Sequence, residues 1–450
     1  MDMTFLFAVA LVVMALPFLA MKPKYLVYLF LAMIFFFPNP GWGVLDKADI
    51  FNLYSKGTGQ LPVPLMTLFM WAVFLIVFIF ANARSDALRW CNLRKPFWAF
   101  NALFVVYALF GVAIGNPIEK VISERGVITV VNMSLLVGVM LRIFKKKEDA
   151  EQLMSFFLLC AVTRGIWGIF RFFFLGGDPA NVYANIEHIA VRLTFFDIGD
   201  LVIACVAAFY AGWMLLWKGR QVSLKGKLFY AFVMGVELFV MVFSYRRTAW
   251  GGMVLVGAFF VMLQPWRRRI QAFLALAVLS AFTFSVVMRE RLQGIAKGKG
   301  LWEMFFYDTA TKGKFSADQG RLAELNAAFQ TVKENMLFGV GPWGGYGPNS
   351  IDFMHSGFLH VWLKTGLLGL VIFVAILVSY VLFCTFKRRT IPPAERGYFE
   401  AGFAGFLFLL PTLFMGTPII EFRTMQLLGF ALALPYIAYA INRRSGNTFQ

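Results

Sequence analysis

Mostly apolar stretches recur along almost the whole chain, parted by short polar joints, and this repetition constrains the fold more than any other feature. They run roughly over 3–20, 24–38, 64–82, 96–114, 127–143, 153–175, 200–217, 228–244, 249–264, 271–288, 357–385, 399–416 and 425–441. A helix crossing the hydrocarbon core needs about 20 such residues. The second stretch is short, and the first two would fit a re-entrant pair, so the expectation is an all-α polytopic membrane protein with about 12–14 transmembrane helices. Hydrophobic residues make up 60% of the chain and charged residues 15%. Ordinary soluble domains are about half apolar and a quarter charged, and a water-soluble fold of this composition would expose large apolar patches. Disorder and a disulfide-rich scaffold are excluded by the same composition. The first stretch does not read as a cleavable signal, because Asp2 precedes it and no Lys or Arg does.

There are 42 lysines and arginines against 24 acidic residues, a net charge of +18. So basic a protein suggests nucleic acid, but the placement of the charges points elsewhere. Lys22 and Lys24, then Arg84, Arg89, Arg94 and Lys95, then Arg142 and Lys145 to Lys147 follow alternate spans. So do Lys218 to Lys227, Arg267 to Arg269, Lys387 to Arg396, and Arg443 with Arg444. These short joints hold just over half of the positive charge, the pattern of cytoplasmic loops. The C-terminus is then expected inside. The whole chain, 1–450, reads as one membrane domain whose longer loops, 39–63, 176–199 and 289–356, lie on the outer side. Long loops without regular structure are uncommon unless they are functional, so 289–356 is the expected catalytic loop, carrying short helices, and 176–199 a second outer loop.

Several groups on that side carry chemistry. Arg246 and Arg247 sit in a tight joint between two spans, where cations are costly and usually functional; the alternative is snorkelling to headgroups. Residues 318–336 read as an amphipathic helix with Leu322, Leu325, Phe329, Val332 and Met336 on one face. Arg321 falls in its first turn, the end of a helix that favours anions. The stretch 339–348 has Gly339 and Gly341 among five glycines, a loop that backbone or ligand can approach closely. The three histidines, His188, His355 and His360, all fall on outer loops or their edges, and imidazole suits general-base work. Arg192 lies near Glu187, His188, Asp197 and Asp200. Arg164 and Arg171 share a helical face that would meet a carboxylate such as Glu237, and Glu421 would pair with Arg423. Cys91, Cys160, Cys205 and Cys384 have no metal-ligand spacing, and no nucleotide or zinc motif is present. Arginines and a histidine converging on one membrane face suit a large lipid-phosphate substrate.

The run Arg247-Thr-Ala-Trp250 resembles the Ser-Arg-(Gly/Thr)-Ala motif of the bacterial O-antigen ligase and O-antigen polymerase superfamily, with Arg246 in place of its Ser. Gly320-Arg321, Gly339-Val-Gly341 and His355 resemble that family's Arg, Gly-x-Gly and His-Asn-x-(Tyr/Phe)-Leu elements, with Gly366 and Gly369 following. Ser356 stands where the family commonly has Asn. The resemblance spans roughly 240–370. It implies a GT-C-like glycosyltransferase of the bacterial inner membrane that needs no metal or cofactor. It would move an undecaprenyl-pyrophosphate-linked glycan, with inversion, onto a hydroxyl at the periplasmic face. The acceptor is another lipid-linked repeat unit in a polymerase, slightly favoured by the long loop, or the lipid A core in a ligase. A chain-length regulator is an expected partner. His355 would take the acceptor proton, with Arg247 and Arg321 on the pyrophosphate. Arg246, Arg192, His360, His188, Gly339 and Gly341 would contact substrate. A transporter of lipid-linked glycans is the competing class, against which the absence of an internal repeat counts.

Overall fold

The computed structural model describes residues 22–36, 63–80, 85–175, 198–219, 221–244, 246–263, 317–352, 354–416 and 418–447, with isolated positions between 266 and 281. Among these the protein forms fourteen α-helices: α1 Pro23–Phe36, α2 Leu65–Phe80, α3 Asp86–Trp90, α4 Arg94–Ala113, α5 Ile118–Val121, α6 Ile128–Ile143, α7 Lys147–Phe174, α8 Ile198–Trp217, α9 Leu224–Phe243, α10 Arg247–Leu263, α11 Ala317–Glu334, α12 Gly357–Lys387, α13 Gly397–Met415 and α14 Phe422–Asn447. No strand occurs among the described residues, only an isolated bridge between Tyr346 and Ile351. Seven helices are long and apolar enough to cross a membrane and four more are apolar but shorter. The chain is an all-α integral membrane protein. Eleven of the thirteen expected stretches fall on these helices. The stretch 3–20 lies outside the described residues, and so does 271–288 apart from isolated positions.

Helix α14 is apolar around most of its circumference and takes the centre of the bundle, with 94% of its spanning window buried. Helices α6, α8 and α13 pack around it. The close approach is made by glycines: Gly402 and Gly405 of α13 lie against Ala431 of α14, and Gly429 of α14 lies against Met133 of α6. Small residues serve this purpose in membranes, where lipid tails compete with side chains for apolar contact. Helix α4 is peripheral, with only 22% of its window buried. Polar side chains knit the bundle from within: Trp71 of α2 donates to Asn132 of α6 at 2.8 Å, and Asn101 of α4 donates to Ser134 at 2.9 Å.

Among the described residues, the basic joints with Lys24, Lys145, Arg388 and Arg444 gather at one end of the bundle. Lys24 pairs with Asp149 at 2.6 Å, Arg444 with Asp86 at 2.5 Å and Arg388 with Glu400 at 2.5 Å. These pairs link the starts of α1 and α7, the end of α14 to α3, and the end of α12 to the start of α13.

Both arginines find the same carboxylate. Arg164 pairs with Asp200, its Nη2 3.0 Å from Oδ2, and its charge also acts on the nearby Glu237. Arg423 turns inward to the same Asp200 and to the carbonyl of Ile34 at 2.5 Å, while Glu421 accepts from Thr424 at 2.6 Å. Asp200 begins α8 and Arg423 begins α14, so both enter the bundle from the same end and find each other there. This buried cluster ties α1, α7, α8 and α14 together. Glu237 is buried beside it, its Oε1 without a hydrogen-bond partner.

Candidate active site

The site lies at the end of the bundle opposite the paired basic joints, where α11, the 339–352 segment and the start of α12 meet. Helix α11 forms where amphipathic periodicity predicts it, within two residues at either end. Its buried face differs from the expected one. Ala328 and Val332 are buried, with Tyr346, Met354 and Leu363, whereas Phe329 is 39% and Met336 48% exposed. Apolar side chains at a membrane boundary can be satisfied by lipid as well as by protein, so periodicity alone does not say which face meets the chain.

The correction matters because the buried face carries Glu324, one turn before Ala328 and absent from the sequence reading. The backbone N–H of His355 donates to Glu324 Oε1 at 2.5 Å, and His355 Nδ1 lies 2.9 Å from Oε2. Both side chains are half-buried or less exposed than that, 32% for the histidine and 17% for the glutamate. A carboxylate on Nδ1 fixes the proton there and makes Nε2 the basic nitrogen. The signal in the sequence was the i, i+4 run Glu324, Ala328, Val332, which puts one carboxylate in register with two small apolar residues.

Helix α12 is broken at Gly366, where φ is 66° and ψ is −172°. The break lets the first leg, 357–365, lie under the glycine-rich segment. Val340 N–H donates to Leu363 O at 2.8 Å and Leu367 N–H to Met336 O at 2.9 Å. Gly339, at φ 66°, sits so close to Leu363 and Gly366 that no Cβ fits. Gly341, at φ 83°, is closed over by the Trp343 ring. The two glycines expected to touch substrate are thus held in close packing contacts that leave no room for a side chain. Lys364, also missed from sequence, is buried on this first leg; its Nζ donates to Gly344 O and reaches Asp352 Oδ1 at 3.2 Å. It anchors the turn that leads to His355. Tyr346, in the same turn, has its hydroxyl pushed up to about 12 by burial and then by the Glu324 charge.

His360 is placed apart from the site surface. It is fully buried with Nε2 3.2 Å from Gly126 O, so it fastens α12 to the loop before α6. Ser356, in the position where Asn was the expected residue, caps α12 by accepting from Leu359 N–H at 3.4 Å.

Arg246 precedes α10 and is half-buried; Arg247 is the first residue of that helix. Helix α10 packs on α13, with Gly252 against Phe408 and Gly251 near Pro411. One turn on, the end of α13 meets α12: Leu413 O lies against Gly357, and the Phe358 and Phe414 rings are 4.7 Å apart. The Arg246–Arg247 joint and His355 thus flank the same end of α13. Arg321 lies on α11 one turn before Glu324. The side chains of Arg247 and Arg321 lie outside the described ones, and Arg192 and His188 lie outside the described residues altogether.

The arrangement offers a carboxylate-oriented imidazole at the same end of α13 as the Arg246–Arg247 joint. No curated protein matches the chain. Residues 229–374, which contain Arg246, Arg247, Arg321, Glu324, the glycine pair, His355 and His360, match the family described as O-antigen ligase.

Proposed function

We propose that the protein transfers a glycan from an undecaprenyl-pyrophosphate carrier to an acceptor hydroxyl at the periplasmic face of the inner membrane, with inversion and without a metal, acting as a polymerase of lipid-linked repeat units. The observation that carries this reading is the Glu324–His355 pair at the end of the bundle where Arg246 precedes α10 and Arg247 begins it. The acceptor oxygen attacks the anomeric carbon as His355 Nε2 takes its proton. The bond from that carbon to the pyrophosphate oxygen breaks, and the leaving group keeps the electron pair. Arginines stabilise the charge that develops there, bidentately where geometry allows. Arg247, Arg321 and Arg246 fill this role, and Arg192 and His188 contact the glycan. The first leg of α12, fastened through His360 and Lys364, holds His355 in place.

The test uses purified protein, a lipid-linked oligosaccharide and two acceptors, a second lipid-linked unit and a lipid A core. Transfer should go to the lipid-linked unit and fall about 10²-fold or more in His355→Ala and Arg321→Ala. Wild-type rates in both variants would sink the site. Transfer to the core acceptor alone would make the protein a ligase. Sidedness is read by labelling Ala310→Cys in intact cells, against a low background because all four native cysteines are buried. Labelling only after lysis would reverse the orientation.

A further inference from the structure

At the end of the bundle opposite His355, the start of α1 and the end of α6 border an open pocket of about 420 Å³ lined by Lys22, Pro23, Lys24, Tyr25, Arg142, Ile143 and Lys145. That volume is within the usual range for small-molecule sites, about 300–1,000 Å³, and is far more than one phosphate ion requires. Four of the seven lining residues are cationic. The carboxylates nearby are already engaged: Asp149 with Lys24 at 2.6 Å and Asp86 with Arg444 at 2.5 Å. Lys22 and Arg142 have no carboxylate partner among the described residues. Lys22 stands 5.9 Å from the Tyr25 ring and Arg142 4.6 Å from the Phe78 ring. The Lys145 ammonium is pulled down first by burial and then by Arg444 and Arg142, a sign that the cations crowd one another.

The rest of the wall is apolar, and apolar surface continues away from the pocket. Tyr25, Leu29 and Phe36 are exposed along α1, and Leu75 and Phe78 along α2. A cationic cup that opens onto an apolar lane has the polarity profile of a phospholipid, not of a free anion. Basic pockets between membrane helices bind anionic headgroups in this way.

We propose that this pocket holds the phosphodiester headgroup of an anionic phospholipid in the leaflet opposite the His355 site, with its acyl chains along the exposed faces of α1 and α2. The headgroup phosphate sits between Lys22 and Arg142, and Lys145 closes the near side. The bound lipid joins the starts of α1 and α7 to the end of α6, where the protein's own carboxylates are fewer than its cations.

The full-length protein in detergent is titrated with phosphatidylglycerol, phosphatidylcholine or inorganic phosphate while its unfolding temperature is followed. Phosphatidylglycerol should raise the unfolding temperature, and the other two should not. The variant Lys22→Gln/Arg142→Gln should need about tenfold more phosphatidylglycerol for the same shift. A control variant, Lys225→Gln/Lys227→Gln, at the same end but outside the pocket, should behave as wild type. The proposal is overturned by an equal shift with phosphatidylcholine, by an equal shift with inorganic phosphate, by an unchanged titration in the pocket variant, or by an equal loss in the control. Should the double variant not survive purification, Arg142→Gln alone carries the same comparison, with about a threefold change expected.

Discussion

Glu324 determines which nitrogen of His355 can accept a proton, because its carboxylate takes both the backbone N–H and Nδ1 of that residue. Glu324→Gln keeps the shape and removes the charge, so the imidazolium formed during transfer loses its counter-ion and the tautomer is no longer fixed. We expect the turnover rate to fall at least about tenfold with little change in KM, and the pH–rate profile to move, in the glycan-transfer assay. An unchanged profile would reduce Glu324 to a packing residue. Glu124, between α5 and α6, supplies a pH test of the fold itself. It is 7% exposed, with Oε1 lacking a hydrogen-bond partner, and burial raises its pKa well above 4.5. A raised folded-state pKa means that the stabilisation is complete below the ordinary value and is lost as pH rises through the raised one. Wild-type unfolding temperature should therefore decline as pH rises from the ordinary carboxyl value through the raised one, and Glu124→Gln should flatten the decline. Equal slopes in both proteins would refute this assignment.

Among the elements, α12 shows how a span becomes part of a site. Its apolar run reads as one helix, and hydropathy alone gives no reason to break it. The break comes from Gly366 in a conformation essentially restricted to glycine, packed against the 337–338 backbone. Gly366→Ala places a methyl group onto Leu337 O and forces a strained backbone, worth about 1–3 kcal/mol before any clash. The unfolding temperature should fall, and activity should fall with it, since the first leg carries His360 and Lys364. An alanine variant with wild-type stability would show that the leg can reseat. Helix α11 carries a related lesson. Its existence follows from spacing, but its orientation does not, because Phe329 and Met336 find an apolar surrounding without being buried in protein.

Across the whole molecule, the buried Asp200 cluster joins four helices distant in sequence through two arginines. Asp200→Ala would leave Arg164 and Arg423 buried without their carboxylate, a loss of about 3–5 kcal/mol by analogy with broken buried pairs. The purified variant should unfold at clearly lower temperature, and one as stable as wild type would mean that other groups neutralise the arginines. The sequence by itself determined that the chain lies in a membrane, where nearly all of its described helices run, and which joints gather at one end. These follow from the cost of putting polar backbone and unpaired charge into lipid, a cost counted residue by residue. It also singled out His355 and the Arg246–Arg247 joint, because rare residues placed against that cost stand out. Only the tertiary structure decided that Glu324 meets His355, that Gly339 packs on Leu363 and Gly341 on Trp343, that His360 reaches Gly126 O, and that Arg423 meets Asp200. Each of these depends on which helix faces meet. Hydropathy cannot specify that in a membrane, because lipid satisfies an apolar face as well as protein does.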